Sequence, residues 1–481
     1  MLGPLDVRAL VLSGVLVLDT LGVLGLVGGQ SLVWLALVSL LFVVPYALLV
    51  AELGSAFPDD GGPYAWVRRA FGRPAGTLCA VLYWIANPVW LGGTLAIVAV
   101  AVIESFLVDL GSARYLVALA FVWLAVGATL LDLRQGRWIP RTGALIRVGL
   151  LGLLTASVVV YAIAHGLHGI GASELEPSGS GLVVAVPLLV FGLLGLELPS
   201  ALGRELRDPA RDVPAGVARG SIATVALYAV PLVAMLVVLP LRENAGIGGF
   251  IDAIRTVFTV YGGHVDVQGV PHPTGAGRVL ADLAAVGFVY ALLTGGATWL
   301  MASNRVLAAA TSDGAAPRIL ARRTPRSGAP LVPCLLSGIL ATAVLTLTWE
   351  LASGRLARYL AAMVGLAVST VLLSYLLAFP SLIRLRHTHP KTPRPFAVPG
   401  GLAGAWVCSI LTTAIALLAT IELLYPGAGT AQPDSLLPAT FRGLRTRYEQ
   451  AVALPLAGVL VLALLCWLIA RHETRTPVRD V

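Results

Sequence analysis

Twelve apolar runs, each close to the length of a membrane crossing, constrain this chain more than any other feature. They occupy 10–27, 32–50, 78–102, 115–132, 142–164, 182–196, 220–240, 279–303, 331–349, 356–384, 402–424 and 451–470. A helix needs roughly 20 predominantly apolar residues to cross the hydrocarbon layer. Inside that layer each backbone polar group must be satisfied by the helix itself or by a neighbour. Only 12% of the residues are charged, against about a quarter in soluble domains, so one water-soluble core is excluded. The pattern predicts an all-α integral membrane protein of twelve transmembrane helices.

The chain carries a net charge of +8, and the placement of that charge says more than its size. With the N-terminus in the cytoplasm, 23 of the 33 Lys and Arg residues fall on inner connections, nine on outer ones, and Arg147 falls within a span. The rule that cytoplasmic loops are the positive ones then puts both termini in the cytoplasm of a multi-pass protein of the cell membrane. Basic residues spread over loops in this way argue against nucleic acid as a partner and leave lipid headgroups as the anionic surface they meet. Before the first run stands Arg8, and no small-residue cleavage site follows, so the first span is expected to stay in place.

Metal and redox chemistry find little to work with. The four cysteines stand singly in or at the edge of spans, without paired spacing, and the seven histidines fall in loops, span ends or tails. Neither a cofactor nor a metal is expected. A membrane-embedded enzyme would need an intramembrane histidine, metal spacing or paired carboxylates on one helix, and a channel a continuous polar pathway. The spans show neither pattern, which leaves an enzyme or a channel as the remote alternatives.

Glycine and charge inside the spans are more informative. Span 1 reads Leu18-Asp19-Thr20-Leu21-Gly22-Val23-Leu24-Gly25, and span 6 reads Phe191-Gly192-Leu193-Leu194-Gly195-Leu196-Glu197. Each has glycines and one carboxylate in mid-span. Because they are five helices apart, a second five-helix unit would enter the bilayer from the opposite side, as in inverted-repeat transporters with broken helices. Small residues at this spacing also permit close helix packing, so both readings stand.

An intramembrane charge is costly and is a functional candidate by default. Asp19 could pair with a substrate ammonium or with a neighbouring helix. Glu197 is the candidate proton carrier, a carboxyl held out of water. Arg147 could act in the site or snorkel to the inner surface. Glu104, Asp282 and Glu422, near outer span ends, read as structural. Phe191 and Trp299 read as core or, beside Gly192, Gly195, Gly295 and Gly296, as walls of a cavity where an aromatic face attracts an ammonium.

Longer motifs carry a family resemblance. The stretch Ala51-Glu52-Leu53-Gly54-Ser55-Ala56-Phe57-Pro58 runs on through Gly61-Gly62-Pro63-Tyr64 to Ala70-Phe71-Gly72; Gly195-Leu196-Glu197 is followed by Glu205-Leu206-Arg207-Asp208-Pro209. Further on come Ser312-Asp313-Gly314-Ala315-Ala316-Pro317 and Arg394-Pro395-Phe396. In this order they resemble the amino acid, polyamine and organocation permease superfamily over nearly the whole chain. The resemblance implies a leucine-transporter-like core, with a first five-helix repeat over 1–165, a second, inverted one over 178–387, and two peripheral helices over 401–481. It implies alternating access, with substrate held on the broken helices 1 and 6, around Asp19, Gly22, Gly25, Gly192 and Gly195. By position Phe191 matches the aromatic that closes over substrate and Trp299 one that lines the site. Tyr83, Glu197 and Tyr375 match the inner gate of the family's arginine/agmatine antiporter. Arg147 falls where proton-coupled relatives carry a lysine. An arginine keeps its proton at physiological pH, so it could replace a coupling cation but could not carry the proton. Span 1 departs from the usual Gly-Ser-Gly type sequence, which loosens the expectation for carboxylate binding. The expected cargo is an amino acid, moved by proton coupling or exchange; the alternative is a polyamine or other organic cation. Oligomeric state is not legible.

Overall fold

The computed structural model describes residues 2–15, 28–131, 137–166, 170–238, 254–266, 270–351, 356–428, 433–437 and 441–475. Ten helices among them are long and apolar enough to cross a membrane. A short first helix, α1 (Pro4–Val15), leads into span 1, and α2 (Gln30–Ala56) is followed by the short, largely buried helix α3 (Pro63–Phe71). Next come α4 (Arg73–Phe106), α5 (Arg114–Thr129), α6 (Trp138–His165), α7 (Gly179–Gly192) and α8 (Pro209–Val238). The remaining helices are α9 (Gly275–Ser312), α10 (Leu331–Leu351), α11 (Leu356–Ala378), α12 (Ser381–Thr388), α13 (Gly401–Leu424) and α14 (Arg445–Arg475). Ordinary helix formers fill these segments, and their backbone bonds stay within each helix as lipid requires.

Several expectations are refined. Between α8 and α9, Gly263–Val265 and Pro271–Pro273 pair as a short antiparallel hairpin. The connection after span 10 begins as α12, and α14 starts six residues ahead of the apolar run over 451–470. Asp19, Gly22 and Gly25 lie outside the described residues, and with them the break expected in span 1.

Span 6 is broken. Helix α7 stops at Gly192, the chain turns through Leu193–Leu196 with Gly195 at φ +109°, and a 3-10 segment, Leu198–Glu205, resumes beyond Glu197. A side chain at that φ would clash with its own backbone, so the turn needs glycine. Freed backbone groups inside a membrane must find partners. The Tyr228 hydroxyl donates to the Gly192 carbonyl at 3.3 Å, and the Gly195 N–H donates to the Tyr46 hydroxyl oxygen at 3.4 Å.

Around this break the helices pack as a bundle, α11 against α4, α8 against α2 and α1, and α6 against α9. Two π-helical turns, Ser39–Val43 in α2 and Leu91–Leu95 in α4, each lie next to a proline, Pro45 and Pro88. Proline takes one rung out of the helical ladder, and the wider turn falls beside it. At the second turn α4 meets α10 backbone to backbone: a β-carbon on Gly92 would fall 2.0 Å from the Ala341 carbonyl oxygen. On the periphery, α14 leaves Leu454, Val461 and Leu464 exposed, which suits a helix solvated by lipid.

Candidate functional site

Glu197 stands at the restart of span 6 and is fully buried. Three phenols from three other helices converge on it. Tyr83 of α4 donates to Oε1 at 2.6 Å, Tyr375 of α11 donates to the same oxygen at 2.5 Å, and Tyr46 of α2 donates to Oε2. The expected trio of Tyr83, Glu197 and Tyr375 is thus brought together. Tyr46 is an addition that the sequence reading missed. A lone tyrosine in an aliphatic run offers no local signal, and its partner lies 151 residues away.

The chemistry of this cluster follows from donor counts. An ionised carboxylate only accepts, and three phenol O–H groups match it. A protonated carboxyl would have one O–H to donate, and a phenol facing it meets it by turning its own O–H away and accepting.

Next to this cluster lies a small cavity whose walls include Asn87, Trp90, Phe191, Leu194, Trp299 and Val371. Its free space is about 20 Å³, room for a water molecule. Trp90 meets Phe191 edge to face with centroids 5.8 Å apart, and Trp299 lies 6.1 Å from Tyr83. The Trp299 indole N–H donates to the Gly14 carbonyl at 2.9 Å, tying α9 to α1. Asn87 donates its amide to the Tyr83 carbonyl at 2.9 Å. Phe191 and Trp299 therefore line one cavity, and Gly192 and Gly195 shape the break beside it.

Arg147 does not snorkel. It is 3% exposed and reaches inward from α6, donating to Thr294 Oγ1 at 3.2 Å and to the Ala291 carbonyl, with Ser13 Oγ at 3.5 Å. Interior acceptors outweigh the reach to the surface, and the guanidinium joins α6 to α1 and α9. The three carboxylates near span ends have local roles: Glu104 pairs with Arg114, Asp282 faces Arg278 at 3.9 Å, and Glu422 caps the Gly427 N–H at 2.9 Å.

The family motifs form ion pairs at the end of the bundle that carries most of the basic residues. Glu52 is fully buried and takes four donors: Arg386 Nε (2.8 Å) and Arg394 Nη1 (2.8 Å) on Oε1, Arg386 Nη2 (2.5 Å) and the Val398 N–H (2.7 Å) on Oε2. Arg68 pairs with Asp313 at 2.8 Å, and Arg305 with Glu205 at 2.9 Å. The Tyr64 hydroxyl donates to Asp313 at 3.0 Å; burial first, then the Asp313 charge, hold it above the usual phenol range. Among the described residues no group of three or more His, Cys, Asp or Glu side chains could hold a metal ion.

A multi-pass helical bundle, broken at a buried carboxylate beside an aromatic cavity, defines a membrane transporter. The family model for amino acid permeases matches residues 2–441, and the chain belongs to that family. A probable agmatine/putrescine antiporter of Lactococcus lactis is 26% identical over 379 residues, 78% of this chain and 77% of the relative. A cadaverine/lysine antiporter of Escherichia coli is 24% identical over 381 residues, covering 74% and 77%. A glutamate/gamma-aminobutyrate antiporter of Lactococcus lactis is 22% identical over 418 residues, covering 84% and 79%. Among solved structures, a mutant form of the Eremococcus coleocola manganese transporter superposes with a TM-score of 0.60 at 16% identity, over 97% of this chain and 94% of the other. That likeness is one of fold, the leucine-transporter-like fold.

Proposed function

We propose that this protein is a secondary carrier that moves small primary amines, amino acids or their decarboxylated products, by alternating access with proton coupling or exchange. The observation that carries this reading is the Glu197 carboxylate capped by phenols beside an aromatic cavity at the break of span 6. In it Tyr83, Glu197 and Tyr375 form the gate toward the cytoplasm and Glu197 is the group that titrates. Phe191, Trp299 and the backbone at Gly192 and Gly195 hold the substrate, together with Asp19, Gly22 and Gly25 of span 1. Arg147 supplies a fixed positive charge between spans 1, 5 and 8 and carries no proton. The charge distribution supports a cell-membrane location with both termini cytoplasmic. The break in span 6 supports two inverted repeats, over 1–165 and 178–387, with 401–481 peripheral. The relatives support exchange, being antiporters of amines and amino acids.

Reconstituted into liposomes, the protein should take up labelled amino acid or amine faster with unlabelled substrate inside or with an inward proton gradient. Glu197→Gln should remove the dependence on the gradient. Flux indifferent to both trans substrate and proton gradient would sink the coupling claim. A second reading, transport restricted to organic cations, is favoured by the agmatine/putrescine and cadaverine/lysine relatives. It requires Asp19→Asn to abolish diamine binding, and full retention of binding would exclude it.

A further inference from the structure

Tyr46 differs from the other two phenols on Glu197 in what it binds and in what supports it. Tyr83 and Tyr375 share Oε1, so either alone leaves that oxygen with a donor; Tyr46 is the phenol on Oε2. Its orientation is set by an aromatic box. The fully buried ring lies 5.5 Å from Phe42, 5.4 Å from Phe379 and 5.9 Å from Tyr375, edge-on to the last two. With its O–H on Glu197, its oxygen accepts the Gly195 N–H exposed by the helix break. One hydroxyl therefore serves the carboxylate and the turn that carries it.

The supports differ as well. Two turns along α2 from Tyr46, Gly54 lies hard against the segment that follows Glu197. A β-carbon there would fall 2.4 Å from Ser200 Oγ and 2.9 Å from Val213 of α8. Helix α2 thus packs closely on the segment over 197–205 and on α8. Tyr83 stands on α4, which is wedged against α10 at Gly92, and Tyr375 stands on α11. Tyr46 thus joins the segment that carries Glu197 to the α11 side of the site, where its hydroxyl also lies 3.4 Å from that of Tyr375.

We propose that Tyr46 is a positioning residue of the proton-sensing carboxyl: it is the phenol on Oε2 and on the Gly195 turn, and its bond to Oε2 sets the pH at which the carrier opens. The proposal rests on the reading that Glu197 titrates in the transport cycle. A donor to a carboxylate favours the charged form, and removing it favours proton uptake. Other charges do not compete. Among the described residues the titratable groups facing Glu197 are the three tyrosines, with Cys79 a turn from Tyr83 on α4, and Glu197 has no ion-pair partner. The other elements packed on this segment present neutral groups, Gly14 of α1, Trp299 of α9 and Val213 of α8. The ion pair of Glu205 with Arg305 lies at the segment's far end.

The test is the pH profile of uptake into proteoliposomes, with thermal unfolding recorded alongside, for the wild type, Tyr46→Phe, Tyr83→Phe and Glu197→Gln. For acid-activated transport, Tyr46→Phe should raise the midpoint by about one to two pH units, the worth of one hydrogen bond to a charged group. Tyr83→Phe should raise it less, because Tyr375 still serves Oε1. A folded Tyr46→Phe protein with the wild-type midpoint overturns the proposal, provided Glu197→Gln has flattened the profile. A Glu197→Gln protein that keeps the wild-type profile overturns the underlying reading and the proposal with it. If Tyr46→Phe fails to fold, Tyr46→3-fluorotyrosine decides, since it keeps the ring's shape and donates more strongly. A midpoint moved toward acid supports the proposal, and an unmoved one overturns it.

Discussion

Replacing Glu52 by glutamine is the sharpest test of the packing at the basic end of the bundle. The carboxylate accepts four hydrogen bonds, two on each oxygen, and is fully buried. In Glu52→Gln the amide oxygen keeps two of them. The amide nitrogen then faces the two donors on the other side, either Arg386 Nη2 and the Val398 N–H or Arg386 Nε and Arg394 Nη1, and donors facing donors repel. Two guanidiniums also lose their counter-charge. Breaking a buried pair costs about 3–5 kcal/mol; the Arg386 and Arg394 side chains are 11% and 14% exposed, so some of that is screened and about 3 kcal/mol remains. For a chain of this size that corresponds to a fall of the unfolding midpoint on the order of 3–6 °C. Thermal unfolding in detergent, with hydrogen exchange across 389–400, would measure both the loss and its location. An Arg114→Ala protein, which breaks a half-exposed pair, is the control and should lose less than about 1 kcal/mol. If Glu52→Gln unfolds with the wild type and exchanges no faster over 389–400, the argument from donor count and burial is wrong.

Two further outcomes follow from the same kind of reasoning. Arg147→Leu removes a guanidinium from Thr294 and the Ala291 carbonyl and should cost about 1–3 kcal/mol. Arg147→Lys, which keeps the charge and loses the fork, should fall between, and a leucine variant as stable as the wild type would refute the bridging role. The Tyr64 hydroxyl is held above the ordinary phenol value of 10.0. The contact to Asp313 is therefore fully present below pH 10 and is lost as the pH rises through the raised folded value. Tyr64→Phe should lose that alkaline limb from stability measured against pH, and an unchanged limb would assign it elsewhere.

The spans were legible because length and apolarity are properties of a segment read alone, and ten of them reappear as long apolar helices. Residues defined by distant partners were harder to read. Arg147 could reach water or the interior with equal ease along its own helix, and what decided was a carbonyl 144 residues away. The meeting of Tyr83, Glu197 and Tyr375 came from resemblance, since nothing in the spacing of three residues so far apart in the chain brings them together. Tyr46 had neither motif nor neighbour to mark it. In span 6 the glycines suggested a break or close packing, and the positive φ at Gly195 with the freed backbone groups beside it decides for the break.

The contact at Gly92 has a mechanical consequence. Helix α4 carries Tyr83, Asn87 and Trp90 on one side of the cavity and meets the α10 backbone about a turn further on. Two backbones in such contact cannot slide past each other without a clash, so this wall behaves as a fixed jaw. Under the proposed alternating access, entry and exit of a substrate would depend on the opposite jaw, the broken sixth span with α2 and α8 behind it. Replacing Gly92 with any larger residue would strain the wall that has to stay still.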